Sequence, residues 1–400
     1  MSFSAVRHAL FTVHMWIGLI LGLLLAALGL SGSLLVYDDV VSDWLSPPPH
    51  ATTAGQALPL SMIADIARRA AADQGAAGGA MQIIVPQKKT DAVTVRFNGI
   101  SPMGAPPSAQ NGERRSAQGG NRRGSEGAGP RGRGLQMYLD PVSGEVLGSR
   151  GFVQPGLLAF AHQLHGNFLM SRETGRPIVG WLGVAMCLLG VSGLVLWWPK
   201  RGQWKYAFKV RRTATGLRFH RELHAATGIW IFLVFMAVSF SGVVIAWPQT
   251  MGLNSPAFGP RQLPTVEPME GKTMGATEAV IAATAAVPDI KLRSITLPGR
   301  PDRPITVNYL SHGAINAALL VDPYRGKVIL VRDNSERFLA WMRPVHDGSL
   351  GAVWRFLVFL SGLVPTLFIV TGLIMWWKKR QRHVPMTAMT EDIAAGEAAA

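Results

Sequence analysis

The hydrophobic pattern divides the chain into four long apolar runs and the polar stretches between them. The first run, residues 14–37 (HMWIGLILGLLLAALGLSGSLLVY), carries no charged residue. At ~1.5 Å per residue a helix of that length crosses the ~30 Å hydrocarbon core of a bilayer. It begins at a histidine and carries Ser31-Gly32 near its far end. The layout returns 210 residues later as HAATGIWIFLVFMAVSFSGVVIAW, residues 224–247: His14 falls on His224, Gly18 on Gly228 and Ser31-Gly32 on Ser241-Gly242, without a gap. A second pair of runs, residues 178–198 and 351–377, aligns at a shift of 179, with Ser192-Gly193 on Thr371-Gly372 and Trp197-Trp198 on Trp376-Trp377. The repeat reads as an internal duplication. The expected fold is an α-helical membrane protein with four transmembrane helices in two duplicated hairpins, each enclosing an extramembrane α+β insert.

The inserts, residues 38–177 and 248–350, carry a second repeat. Residues 60–73 have apolar positions at helical spacing, with Ser61 as the expected N-cap. Residues 81–85 and 92–97 read as strands, and residues 135–147 (LQMYLDPVSGEVL) as a hairpin around an Asp-Pro turn. The second insert offers a helix over 275–286, strands near 292–297 and 305–309, and AALLVDPYRGKVILV at 317–331. Both hairpins contain Asp-Pro-x-x-Gly-x-Val. Residues 101–134, rich in Gly and Arg, have too little apolar content for a packed core and read as a solvated tether.

Charge fixes the expected orientation. The net charge is +15, which invites a nucleic-acid reading, but the basic residues flank the spans. Arg7 precedes the first; Lys200, Arg201, Lys205, Lys209, Arg211, Arg212, Arg218 and Arg221 lie in the 199–223 loop between the second and third; Lys378, Lys379, Arg380 and Arg382 follow the last. By the positive-inside rule residues 1–37 start in the cytoplasm, the 199–223 loop and the 378–400 tail lie there, and both inserts lie outside. No nucleic-acid partner is expected; the partner is the lipid bilayer. The first span is too long for a signal-peptide core and lacks a small-x-small cleavage site, so it is kept as an anchor. The single cysteine, Cys187, allows no internal disulfide, and no CxxCH for covalent haem attachment occurs.

Ten histidines occur, and several stand at span ends. His14 and His224 occupy the same register at the cytoplasmic side. His162 and His165 precede the second span (LLAFAHQLHGNF), and His346 precedes the fourth (RPVHDGSLG). A membrane histidine is costly unless it has a partner or a function. Two imidazoles at matched depth are what a b-type haem requires, one on each face of the iron. The small residues Gly18, Gly22, Gly29, Gly32, Gly190, Gly193, Gly228 and Gly242 allow close helix approach, or a flat macrocycle against the backbone. His14 and His224 are the first candidate pair. On the outer side His165 pairs with His346 by spacing, with His162 as an alternative; His220 is the alternative to His224. A methionine, Met342 or Met170, is a further option there. His8, His50, His312 and His383 have no matched partner and read as surface residues.

HMWIGL, LHG before an apolar span, LHAATGIW and VHDGSLG, with paired tryptophans and basic residues closing spans two and four, resemble the PepSY-associated transmembrane proteins. The inserts look like PepSY domains. The resemblance covers nearly the whole chain except the Gly/Arg-rich segment. Members include iron-regulated membrane proteins, and some resemble ferric-siderophore reductases of the bacterial inner membrane with two b haems. The resemblance therefore implies an oxidoreductase with two haem b groups, the inner held by His14 and His224, the outer by His165 and His346. It implies a ferric siderophore as substrate. Some relatives carry an appended flavin or nicotinamide domain; this sequence ends shortly after span four, so the expected electron donor is a separate cytoplasmic reductase or quinol. The rival expectation is a haem-free PepSY anchor that binds or regulates an envelope protease or peptide.

Overall fold

The computed structural model describes residues 3–74, 76–77, 79–88, 90–98, 101–102, 134–151, 156–247, 264–271 and 273–381. The expected tether over 101–134 lies almost wholly outside the described residues, as does His383. The chain forms two compact units. One comprises residues 1–38, 156–252 and 342–400; the other comprises 39–155 and 253–341.

Among its described residues the first unit holds four helices long and apolar enough to cross a membrane: α1 (Phe3–Val36), α5 (Arg172–Trp197), α7 (Gly216–Ala246) and α10 (Ala352–Gln381). The shorter α4 (Gly156–Asn167), α6 (Trp204–Ala207) and α9 (Met342–Asp347) accompany them, and α2 (Asp38–Leu45) follows α1 in the chain. The helices overrun the apolar segments: α5 starts at Arg172 rather than 178, and α7 at Gly216 rather than 224. Polar residues continue a helix as readily as apolar ones, so hydropathy marks the membrane-crossing part and not the helix end. Ser171 caps α5 by accepting from the Thr174 N–H, and Pro177 lies inside the helix, past its first turn.

The tightest packing is α1 against α10 and α5 against α7, and α1–α5 and α7–α10 contacts close the ring. Small residues permit it. A Cβ on Gly29 would strike the carbonyl oxygen of Gly362, and the Ser33 hydroxyl donates to Phe359 O at 2.8 Å. In the other pair a Cβ on Gly183 would come within 2.9 Å of Val243 Cγ2. Gly183 and Gly362 are register mates under the 179-residue shift, so the two helix pairs meet at matched positions. Residues Leu25, Leu28, Leu182, Met186 and Phe235 are buried together between them.

The second unit is an antiparallel eight-stranded sheet with two helices on its apolar face. The strands are β2 (Ala80–Ile84), β3 (Val93–Asn98), β5 (Leu135–Leu139), β6 (Val146–Gly151), β7 (Lys291–Leu297), β8 (Ile305–Ser311), β9 (Ile315–Val321) and β10 (Val328–Arg332). Their order is β10-β9-β8-β7-β2-β3-β5-β6. A two-residue ladder joins β1 (Ala76–Ala77) and β4 (Ser101–Pro102). The two inserts do not stand apart: β2 pairs with β7, with Ile83 opposite Ile295, and both are fully buried. Each insert alone would leave a strand edge unpaired, and joining at β2–β7 removes two edges at once. Helices α3 (Leu60–Asp73) and α8 (Ala276–Ala286) bury Ile63, Ala64, Ala67 and Ala71 from one and Ala276, Ala279 and Ala283 from the other in the same core.

Ser61 does not cap its own helix. Pro59 occupies the N-cap position of α3, and the Ser61 hydroxyl instead accepts from the Thr277 N–H at the start of α8, while Thr277 Oγ1 accepts from the Ser61 N–H, both at 3.0 Å. The two helix N-termini cap each other. The Asp-Pro hairpins also share their geometry. Asp140 Oδ1 accepts from the N–H groups of Val142 and Ser143; Asp322 Oδ1 accepts from those of Tyr324 and Arg325. Gly144 and Gly326 both take a left-handed φ, which glycine adopts without a Cβ penalty.

Candidate functional site

The first unit brings four of the histidines together in two pairs. His14 on α1 faces His224 on α7, with ring centroids 6.4 Å apart and planes at 71°. His165 on α4 faces His346 on α9, with centroids 5.9 Å apart and planes at 41°. The pairs lie at different levels: His165 meets α1 at Leu28, fourteen residues beyond His14, or about 21 Å along the axis.

Each imidazole is held through Nδ1. His14 Nδ1 lies 2.8 Å from Ser192 Oγ, and His224 Nδ1 lies 2.8 Å from Thr371 Oγ1. Both hydroxyls already donate to carbonyls of their own helices, Ser192 to Leu188 O and Thr371 to Leu367 O. A hydroxyl that has given away its proton can only accept, so each histidine presents Nδ1–H to it. At the other level His165 Nδ1 lies 2.9 Å from Leu28 O and His346 Nδ1 lies 2.9 Å from Val238 O. A carbonyl can only accept, which assigns the Nδ1–H tautomer again. All four rings therefore keep Nε2 unprotonated, the form that ligates a metal.

Glycines make room for the rings. A Cβ on Gly32 would lie 2.7 Å from His165 Cε1, and one on Gly242 would lie 2.9 Å from His346 Cε1. At the first level Phe368 stacks on His224 with centroids 4.4 Å apart. Burial pushes His165 down to about 4, the neighbouring His346 adding to the effect and the Leu28 carbonyl opposing it. Burial also lowers His346, against the Val238 carbonyl and with the charge of Arg343. Both rings are neutral at neutral pH.

The arrangement fits a bis-imidazole haem at each level. Two metal–imidazole bonds of about 2 Å, plus the depth of two rings, add up to a centroid spacing of about 6 Å. The donor set is chemically right, two neutral nitrogens with fixed tautomers, and three-residue His/Cys/Asp/Glu clusters are absent among the described residues. The alternatives are placed elsewhere. His162 is exposed and its Nδ1 lies 3.0 Å from Leu158 O in its own helix. His220 packs against Phe219 one turn before His224. Met170 is exposed, whereas Met342 is buried one turn before His346. His8, His50 and His312 are exposed.

Sequence reasoning missed the anchors. Ser192 and Thr371 were visible as register mates, but their contact with His14 and His224 was not. The carbonyls of Leu28 and Val238 carry no side-chain signal at all. No curated protein matches the chain. The model of the PepSY-associated TM region matches residues 11–379, nearly the full length, and the chain belongs to that family of membrane proteins.

Proposed function

We propose that the protein is a di-haem b-type electron conduit of the bacterial inner membrane. The observation that carries this reading is the pair of facing imidazole couples, His14–His224 and His165–His346, set at two levels of one four-helix bundle. A b haem held by these residues would supply one-electron redox chemistry. The chain's own residues supply two axial nitrogens per group, fix their tautomers through Ser192, Thr371, Leu28 and Val238, and leave glycine-lined clearance at Gly32 and Gly242. We further infer that the two halves arose by duplication, since Ser192 and Thr371, Leu28 and Val238, and Gly32 and Gly242 play the same parts at the shifts read from the sequence.

With both termini cytoplasmic, the His14–His224 site would lie on the side of the donor, a separate reductase or quinol, and the His165–His346 site on the side of the outer acceptor. The acceptor is a ferric siderophore: hard oxygen ligands hold Fe(III) by its charge, so adding one electron loosens the chelate. The test is an absorption spectrum with pyridine haemochrome counting on the purified full chain. Two haems per chain and a sharp Soret band are expected, with reoxidation of the reduced protein by ferric siderophore. Colourless protein from haem-replete cells would overturn the reading and favour the haem-free PepSY anchor.

A further inference from the structure

Two arginines stand in matched positions at the starts of α5 and α10: Arg176 and Arg355, 179 residues apart. Each reaches the C-terminal end of a neighbouring helix, where carbonyls lack helical partners. Arg355 Nε donates to Val36 O at 2.8 Å, and its guanidinium lies over the Tyr37 ring at 4.5 Å. Arg176 Nη2 donates to Ile245 O at 2.9 Å. There the likeness ends. Arg176 Nε is buried and has no hydrogen-bond partner among the described residues. Arg172 and Arg343 lie close enough for their charges to act on Arg176, and none of the three is in an ion pair among the described residues.

A guanidinium cannot shed its proton to relieve such a cluster. A buried N–H without an acceptor costs free energy, and the charges of Arg172 and Arg343, both on exposed side chains, add a smaller, solvent-screened term. An anion with planar oxygens removes both penalties. The cluster is also tied to the second histidine pair. Arg343 is three residues before His346 on α9. A Cβ on Gly175, next to Arg176, would meet the backbone of Asn167, two residues beyond His165.

We propose that Arg176, with Arg343 and Arg172, forms a carboxylate site that takes the propionates of the haem held by His165 and His346. This rests on the di-haem reading and adds an orientation to it. The macrocycle's two acidic side chains would face α5 and α9, the side of Arg176, whose Nε has no partner among the described residues, and not the side of Arg355, whose Nε is taken by the Val36 carbonyl. Planar forks match carboxylates with paired hydrogen bonds, which suits the residue type.

The test uses the full chain in detergent, with His14→Ala in every variant so that only one pair binds. Apo-protein is titrated with haem b and with its dimethyl ester, which lacks the carboxylates. Arg176→Gln is expected to weaken haem b at least about tenfold, the loss of one charge-assisted contact, and to leave the ester unchanged. Arg343→Gln should act in the same direction. Arg355→Gln, which removes the matched helix cap, should leave the ratio of haem b to ester affinity as in the parent. The proposal is overturned if Arg176→Gln weakens both ligands equally, which would mark a packing role. It is also overturned if neither affinity changes while co-purifying anionic lipid is lost, which would mark a headgroup site. If the parent binds neither ligand, the di-haem reading has failed and the site falls with it.

Discussion

Leu28 and Val238 stand 210 residues apart and do the same thing: each offers its backbone carbonyl to the Nδ1 of a histidine, 2.9 Å away. The carbonyls belong to α1 and α7, and the histidines to the short helices α4 and α9 packed against them. Helical carbonyls are normally consumed within the helix, so the imidazoles here share an acceptor. The result is a tautomer set by main chain, which no single side-chain change at positions 28 or 238 removes.

If the histidines act as two pairs, their losses should group accordingly. His14→Ala and His224→Ala should each remove about half the haem, and the double variant little more, because a non-covalent haem is retained by both axial bonds. His14→Ala combined with His346→Ala should remove nearly all. Pyridine haemochrome counting decides it; equal content in the last variant and in His14→Ala alone would break the pairing.

The hydroxyl anchors should tune one level only. Ser192→Ala and Thr371→Val each leave an Nδ1–H without its acceptor and free the ring to turn. A loss of about 10- to 100-fold in haem affinity at that level follows the usual cost of outer-shell changes. The His165–His346 level should be untouched. Resolved redox titration of the two haems provides the measurement, with the shift confined to one component.

Glycine substitutions give a steric test with an internal control. Gly32→Ala and Gly242→Ala place a methyl within 2.7 and 2.9 Å of the His165 and His346 rings, well inside contact distance, so one haem should be lost from each. Gly18→Ala meets nothing within 4 Å and should keep the full complement. Haem content that is equal in all three would show that the rings have room to move.

The sheet unit should lose stability in acid. Burial pushes the Asp140 carboxyl up, but the N–H groups of Ser143, Val142, Thr52 and Thr53 outweigh it and hold the group well below the ordinary range. Asp322 is lowered in the same way by Tyr324 and Arg325. A depressed folded-state value stabilises above the ordinary carboxylate value of about 4 and is lost as pH falls through and below it. Melting of the full chain, followed by its β-sheet signal, should begin to drop below about pH 5 and keep falling as the pH is lowered further. Asp140→Asn should be less stable at neutral pH and flatter across that range; a wild-type curve with no slope would contradict the account.

Orientation is read out by reporter fusions. The basic residues that flank the spans predict an outside signal after residue 300 and a cytoplasmic signal after residue 210. A cytoplasmic signal at 300 would invert the direction of electron flow.

The sequence by itself determined what depends on nearby residues or on regular period. Four long apolar runs had to become membrane helices, because an unpaired backbone in hydrocarbon is too costly. The Asp-Pro-x-x-Gly turns had to close hairpins, because Asp140 and Asp322 bond to N–H groups two and three residues on. The gapless repeat marked His14 and His224 as equivalents. What only the tertiary structure decided lies between distant segments. That His165 rather than His162 faces His346 follows from how α4 sits on α1, where a ring fits opposite Gly32. That two inserts share one sheet follows from the pairing of Ile83 with Ile295, which either strand's own pattern leaves open. Ser61 capping α8 is of the same kind. In each case the partner is fixed by packing across more than a hundred residues of chain, where neither propensity nor period reaches.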